Sequence, residues 1–208
     1  MFAVLVPLKR PDHAKTRLAR SGVPHHQQLA VAFAWDAIAA ALASPLVAEL
    51  WVVTDAADLV PPGAGHLPDE GAGDLNRALT RASEVIAARS PHLGIAALCA
   101  DIPALTSADI SAALSLSDQR CFVADSEGTG TTMLIAPPGV RLAPAFGEGS
   151  AMRHQQSGAL PLTDELPTLR LDVDTADDLA RAVTIGVGFH THQALMGDPP
   201  GGEPPIER

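Results

Sequence analysis

Short apolar runs alternate with amphipathic segments along this chain. Strand-length apolar runs occupy 2–6, 47–54 and 93–100, and each is followed by a proline or an aspartate. A run that is apolar throughout predicts a central strand covered on both faces. The alanine-rich segment 25–43 and the apolar stripe of 75–86 have helical spacing. Strands that alternate with helices predict an α/β domain with a mostly parallel sheet.

The second half of the chain continues the alternation. Strands are predicted at 120–124 and 133–136, and helices after Thr106 and from Thr175 to about Val187. Both threonines are followed three positions later by an aspartate, a pattern typical of helix starts. The Gly-rich loop that joins the two strands has the spacing of a dinucleotide loop, but no helix follows it, so a Rossmann site is not predicted.

The length and the charge of the chain limit the classes of protein to which it can belong. At 208 residues the chain predicts one domain, which we place at 1–190, and the Gly- and Pro-rich remainder, 191–208, is expected to be a disordered tail. A net charge of −10 argues against nucleic acid or an anionic membrane as partner. No signal peptide or membrane span is predicted, and Cys99 and Cys121 are expected to be core residues of a cytoplasmic protein.

Carboxylates stand at the ends of predicted strands. Asp101 follows the most apolar run, and Asp55 follows the second strand. Ligands in open α/β sheets bind outside the carboxyl ends of strands, so Asp101 predicts a ligand site; a turn-stabilising role is the alternative. Asp172 and Asp174 lie two residues apart in an expected extended segment, so both side chains point to the same side. A divalent cation would relieve the repulsion between them.

A basic segment follows the first strand. Lys9, Arg10, Lys15 and Arg17 are four of the 14 Lys and Arg residues of this acidic chain and lie within nine positions. Nucleotide phosphates are expected at this place in a doubly wound sheet, and the guanidinium of Arg17 can contact phosphate through two hydrogen bonds. A solvated surface loop is the alternative.

Two predicted helix starts are further candidates for ligand contacts. The glycine-containing segment that leads into Asn76 could contact a base or a ribose, and we include Asn76 and Asp55 among the candidate nucleotide contacts. Gly147 and Ser150 precede another predicted helix, where free amides and the helix dipole would favour an anion. The alternatives are an ordinary loop before Asn76 and a plain helix cap at Ser150.

An ordered set of motifs carries a family resemblance. The motifs are 6–9 with 14–18, 74–79, 99–103, 128–132 with 146–150, and 171–175. Together they resemble the guanylyltransferases that make the nucleotide-activated precursor of the deazaflavin coenzyme F-420, the 2-phospho-L-lactate or phosphoenolpyruvate guanylyltransferases. The resemblance extends from residue 4 to about residue 180.

The resemblance implies a fold and a set of partners. The fold is a single-domain nucleotidyltransferase of the GT-A type, with a mixed, mostly parallel sheet flanked by helices. GTP would be the donor, Mg²⁺ the cofactor and a small phosphorylated three-carbon acid the acceptor. A handover of the product to the next enzyme of the pathway is a further implied partnership.

The resemblance also implies roles for individual residues. The metal-binding residues would be Asp101, Asp172 and Asp174. The residues that hold the acceptor would be Thr132, Gly147 and Ser150. The basic residues over the nucleotide phosphates would be Lys9, Lys15 and Arg17. Catalysis would rest on Lys15, Arg17 and Asp101. Glu148 departs from the pattern, because it places a negative charge beside an anionic acceptor.

Two other functions remain open from the sequence. One is another nucleotidyltransferase of this fold, acting on a molybdenum cofactor or a sugar phosphate; such enzymes usually have a Gly-rich loop after the first strand, and 9–18 contains no glycine. The other is a non-catalytic nucleotide-binding protein. Among acceptors, phosphoenolpyruvate, 2-phospholactate and 3-phosphoglycerate are the alternatives, and the Ala- and Pro-rich composition favours the first.

Overall fold

A seven-stranded sheet forms the centre of the protein in the computed structural model, which describes residues 1–10, 18 and 23–197. The strands are β1 (Phe2–Pro7), β2 (Val47–Val53), β3 (Gly65–Leu67), β4 (Gly94–Leu98), β5 (Cys121–Ala124), β6 (Thr131–Ala136) and β7 (Leu160–Pro161). Their order across the sheet is β3-β2-β1-β4-β6-β5-β7. Strand β6 is antiparallel to both of its neighbours, and the other pairs are parallel. The predicted mixed, mostly parallel sheet is confirmed.

Helices flank the sheet, and all of them except the last lie at predicted positions. They are α1 (His26–Leu42), α2 (Leu75–Arg89), α3 (Ser107–Ser115), α4 (Ser150–Gln156), α5 (Ala176–Ile185) and α6 (Phe189–Met196). Helix α5 ends two residues before the predicted end at Val187. Across the described ranges, every helix is too short or too polar to cross a bilayer.

Side chains of the central strands alternate between the two faces of the sheet, and a hydrophobic core lies on each face. In β1, Val4 and Val6 pack into the cluster that contains α1 and α3. The intervening Ala3 and Leu5 pack into the opposite cluster, which contains α2. Because side chains of a strand alternate between faces, a strand covered on both sides must be apolar throughout, as the sequence of β1 is.

Helix α1 is buried on two sides. Ile38 belongs to the core against the sheet, whereas Leu29 and Phe33 belong to a third cluster with residues of α5 and α6. Phe33 is therefore a core residue. Trp35 is half-buried, and its Nε1 donates a hydrogen bond to the carbonyl oxygen of Leu59 (2.9 Å).

The folded domain extends beyond the predicted boundary at residue 190. Helix α6 buries Thr191 and Ala194. The carboxylate of Asp36, in the middle of α1, accepts hydrogen bonds from the amides of His190 (2.9 Å) and Thr191 (2.8 Å). The prediction of a tail from 191 is therefore wrong for 191–196, because a buried carboxylate distant in sequence fixes this helix. The rest of the predicted tail, from 198 onward, lies outside the described residues.

The ends of several strands meet at one edge of the sheet. The parallel strands β1, β2, β4 and β5 all point their carboxyl ends to this edge, and antiparallel β6 begins there. Lys9, Asp55, Asp101 and Asp125 follow these carboxyl ends. The strand-end carboxylates that the sequence predicted to bind a ligand thus share one edge.

Candidate active site

A cavity of about 380 Å³ opens at this edge of the sheet. Three segments form most of its wall: the β5–β6 turn, the loop before α4, and the stretch that leads into α5. We call the loop before α4 the 145–150 loop. Gly147 and Ser150 of this loop line the cavity together with Asp172 and Asp174. The structure thus brings four of the predicted site residues to one cavity.

The segment with Asp172 and Asp174 lies outside the strands assigned in the described ranges, and its residues from Leu171 to Asp174 alternate between buried and half-buried. Its middle residue, Val173, is buried and donates a backbone hydrogen bond to the carbonyl oxygen of Asp101 (2.9 Å). Because Val173 points into the core, the two flanking carboxylates both point to the cavity, as the spacing predicted. The same hydrogen bond fixes the position of Asp101 relative to the two aspartates.

Asp172 lies at the centre of the negative charge. Partial burial, and then the nearby carboxylates of Asp101, Asp174 and Asp125 in that order of effect, together raise the pKa of its carboxyl to about 7. Burial disfavours the charged form, and like charges add to the penalty. A cation at this place would therefore be stabilised by several carboxylates at once.

The aspartates are not a preformed metal cage. Within the described ranges, no three His, Cys, Asp or Glu side chains are grouped so that they could hold a metal ion. Mg²⁺ commonly takes one or two carboxylates and completes its shell with water and substrate phosphates, so it does not need such a cage. The repulsion around Asp172 is the feature of this site that fits an ion of this kind.

The cavity wall is strongly acidic. Its charged members are Asp125, Glu127, Glu148, Asp172, Asp174 and Asp178, and no Lys, Arg or His of the described chain lines it. Among the predicted phosphate-binding residues, Lys9 is exposed after β1, and Lys15 and Arg17 lie outside the described residues. An anionic ligand would therefore need cations that the described wall does not supply.

The β5–β6 turn is held by a carboxylate. Asp125 accepts hydrogen bonds from the amides of Thr129 (2.9 Å) and Gly130 (2.7 Å). A side chain at position 130 would collide with this carboxylate, which explains the glycine there. Thr131 lines the cavity, whereas the predicted Thr132 is buried and its hydroxyl donates to the carbonyl oxygen of Val123 (3.4 Å). Adjacent strand residues face opposite sides, so the two threonines cannot both face the cavity.

The predicted anion site at the 145–150 loop required free backbone amides, but two amides there are already hydrogen-bonded. The residue that caps α4 is Gly149, with a φ of 69°, and Ser150 is the first helical residue. The amide of Ser150 donates to the carbonyl oxygen of Gly147 (3.0 Å), and the amide of Ala151 donates to that of Thr129 (3.1 Å). These two amides were predicted to be free, and the prediction is wrong because the turn and the neighbouring loop use them.

The two remaining nucleotide candidates do not line the cavity in the described structure. Asp55 is exposed beyond β2. Asn76 lies in the first turn of α2, where its side-chain Nδ2 donates to the carbonyl oxygen of Phe146 (3.0 Å) and its Oδ1 accepts from the amide of Phe146 (2.6 Å). Asn76 therefore binds the 145–150 loop.

Two residues of the site were not predicted from the sequence. Asp125 follows the carboxyl end of β5, so the rule that selected Asp55 and Asp101 would have selected it as well.

The second residue, His154, is fully buried. Its Nε2 accepts a hydrogen bond from the amide of Ala145 (2.9 Å), and its Nδ1 lies 2.9 Å from the hydroxyl of Thr131. Burial lowers its pKa to about 4, with Arg120 and Arg153 adding to the effect. The ring is thus neutral, with its proton on Nδ1.

Comparisons with known proteins agree with the fold and find similar sequences. A phosphoenolpyruvate guanylyltransferase of Geodermatophilus obscurus is 45% identical, with 94% of each chain aligned. One of Streptomyces coelicolor is 44% identical over 91% of this chain and 93% of its own. The solved structure of a nucleotidyl transferase from Methanothermobacter, 17% identical, superposes with a TM-score of 0.61 over 87% of this chain and 95% of its own, which supports the fold.

The comparison with protein families covers nearly the whole described chain. Residues 2–196 match the family described as "Guanylyl transferase CofC like". This match ends at the last residue of α6, in agreement with the extended domain boundary. The chain therefore belongs to the CofC-like guanylyl transferase family, and it is a nucleotidyltransferase.

Proposed function

We propose that the protein transfers GMP from GTP to the phosphate of phosphoenolpyruvate, with release of pyrophosphate, in the biosynthesis of the deazaflavin coenzyme F-420. The observation that carries the proposal is the acidic cavity at the carboxyl edge of the sheet, centred on Asp172, in a chain whose relatives are named phosphoenolpyruvate guanylyltransferases. Both substrates carry phosphates, so they would enter this cavity only together with cations.

One or two carboxylates of the set Asp101, Asp172 and Asp174 would hold Mg²⁺, and water and substrate phosphates would complete its shell. The ion would neutralise phosphate charge and stabilise the leaving pyrophosphate. The chain's own part is to position the aspartates, which it does through the hydrogen bond between the Val173 amide and the Asp101 carbonyl oxygen. Lys9, Lys15 and Arg17 would offset the charge of the GTP phosphates.

The proposed reaction mainly requires that the acceptor phosphate and the α-phosphorus of GTP be held in position. An oxygen of the acceptor phosphate forms a bond to the α-phosphorus of GTP, and the bond from that phosphorus to the oxygen of the β-phosphate breaks. The acceptor phosphate is already ionised at neutral pH, so no general base is required. Gly147 and Ser150, which line the cavity, would hold the acceptor.

The test is a pyrophosphate-release assay with purified protein, GTP and Mg²⁺. Phosphoenolpyruvate, 2-phospholactate and 3-phosphoglycerate are added in turn, and we expect release with phosphoenolpyruvate. Asp101→Asn should abolish turnover while circular dichroism shows an unchanged fold, because it removes a charged ligand of the ion. No release with any acceptor, or equal release with ATP or CTP, would contradict the proposal; near-normal turnover by Asp101→Asn would contradict the metal assignment.

A further inference from the structure

The backbone of the 145–150 loop is held by side chains from outside the loop. At Ala145, the amide donates to Nε2 of His154 (2.9 Å), and the carbonyl oxygen accepts from Nε (3.1 Å) and Nη2 (3.0 Å) of Arg153. At Phe146, both the amide and the carbonyl oxygen bind the side-chain amide of Asn76. Each polar backbone group of these two residues therefore has a side-chain partner.

Asn76 is the most distant of these partners in sequence. It lies 70 positions before Phe146, on a different helix, whereas His154 and Arg153 belong to α4, which directly follows the loop. Its own backbone is also engaged, because its amide donates to Oδ1 of Asp74 (2.9 Å) and its carbonyl oxygen accepts from the hydroxyl of Thr80 (2.7 Å). The first turn of α2 thus presents the Asn76 amide group to the loop in a fixed position.

The loop depends on such an external contact. Gly147 and Gly149 both have positive φ angles, 116° and 69°, and lack the side chains that restrict other residues. Phe146 is the residue directly before this pair, so the orientation of its peptide groups determines where the cavity-lining Gly147 lies. A contact that fixes the backbone amide and carbonyl groups of Phe146 therefore fixes the start of the glycine-containing part of the loop.

We infer that Asn76 is a positioning residue for the acceptor and does not contact the nucleotide. This inference rests on the proposed function, in which the 145–150 loop holds the phosphorylated acid. Asn76 pre-forms the loop before the acceptor binds, so that no binding energy is spent on ordering it. One N–H donor and one oxygen lone pair of the Asn76 amide group are already used by Phe146.

The variant that tests this is Asn76→Asp. It keeps the size of the side chain and the acceptor for the Phe146 amide, but it replaces the donor by an oxygen that repels the Phe146 carbonyl. The matched control is Thr80→Ala, which removes a hydrogen bond to the Asn76 carbonyl oxygen in the same helical turn and leaves the side-chain contact with the loop in place.

Initial rates of pyrophosphate release are measured against each substrate with the other saturating. We expect Asn76→Asp to raise the KM for phosphoenolpyruvate about tenfold, the effect of one lost hydrogen bond, and to leave the KM for GTP within about twofold of wild type. Thr80→Ala should leave both KM values within about twofold of wild type. A rise in the KM for GTP alone, or equal rises for both substrates, would overturn the inference.

The outcomes separate this inference from the proposed function. If the wild-type protein releases no pyrophosphate with any acceptor, the proposed function fails before a variant is compared. If wild type is active and Asn76→Asp leaves the KM for phosphoenolpyruvate unchanged, the inference alone fails. Should Asn76→Asp not fold, Asn76→Ala removes both side-chain contacts with Phe146 without adding charge, and the same selective rise in the acceptor KM is required of it.

Discussion

Replacing Asp172 with Asn should stabilise the metal-free protein and weaken its response to Mg²⁺. The pKa of this carboxyl rises from 3.8 to about 7, first through burial and then through Asp101, Asp174 and Asp125. Between these two pH values the folded state keeps a proton that the unfolded chain has lost. The free energy of unfolding therefore falls as the pH rises from about 4 to about 7, and the loss is complete above that.

The size of the effect follows from the pKa. Each pKa unit corresponds to about 1.4 kcal/mol, so the rise amounts to about 4 kcal/mol before solvent screening. The side chain is only half-buried, and screening lowers the expected gain for Asp172→Asn to about 1–2 kcal/mol at pH 8. In a domain of 208 residues this is a rise in Tm of about 3–6 °C.

Thermal denaturation in the presence of EDTA measures the difference, at pH 8 and again at pH 5. The gain should shrink at pH 5, because wild-type Asp172 then keeps its proton in the folded state. Added Mg²⁺ should raise the Tm of wild type more than that of the variant, since binding to the folded state alone stabilises it. Asp118→Asn, at an exposed carboxylate, serves as control. A lower Tm for Asp172→Asn in EDTA at pH 8, or a gain that is equal at both pH values, would refute the reasoning.

Three further outcomes are expected. Gly130→Ala should lower the free energy of unfolding by about 1–3 kcal/mol in urea titrations, because its methyl group collides with the carboxylate that holds the turn. A cost within about 0.5 kcal/mol, as for an ordinary surface substitution, would contradict this account. Asp36→Asn should lower the free energy of unfolding by about 1–3 kcal/mol and speed amide hydrogen exchange in 189–196, since an amide side chain cannot accept both backbone hydrogen bonds. Unchanged exchange in this helix would contradict the role given to Asp36. The ring signals of His154 should not titrate between pH 5.5 and 8 in NMR spectra, because its pKa is about 4. The contribution of His154 to the free energy of unfolding should fall as the pH drops from about 6.5 to 4. A titration near pH 6.5 would exclude the buried neutral ring.

Local patterns in the sequence did not predict β7 or α6. They were sufficient for the five longest strands, for α1 to α5 and for the side to which Asp172 and Asp174 point. Each of these depends on the period of apolar residues or on the two-residue repeat of an extended chain. The capping pattern shows where local reasoning ends. At Thr175, Asp178 forms the predicted reciprocal cap.

The same pattern at Thr106 has a different outcome. There the Asp109 carboxylate accepts from the amide and the hydroxyl of Thr168 (2.8 Å each), 59 positions away. The contacts of Asn76 and Asp36 were not predicted for the same reason, since their partners lie 70 and more than 150 positions away in the chain. Only the folded arrangement reveals which distant backbone groups a polar side chain meets.

The hydrogen bond between Val173 and Asp101 has a consequence for the order in which the protein is made. Asp101 leaves the ribosome long before Asp172 and Asp174, and α6, whose preceding residue Gly188 donates to the carbonyl oxygen of Pro103 (2.9 Å), comes later still. Contacts so far apart in sequence form slowly, because a long loop must close first. A nascent chain or a fragment that stops before residue 171 could build most of the sheet, yet it would carry a single one of the three aspartates. Assembly of these three aspartates, the proposed metal ligands, is therefore delayed until the last part of the chain has docked.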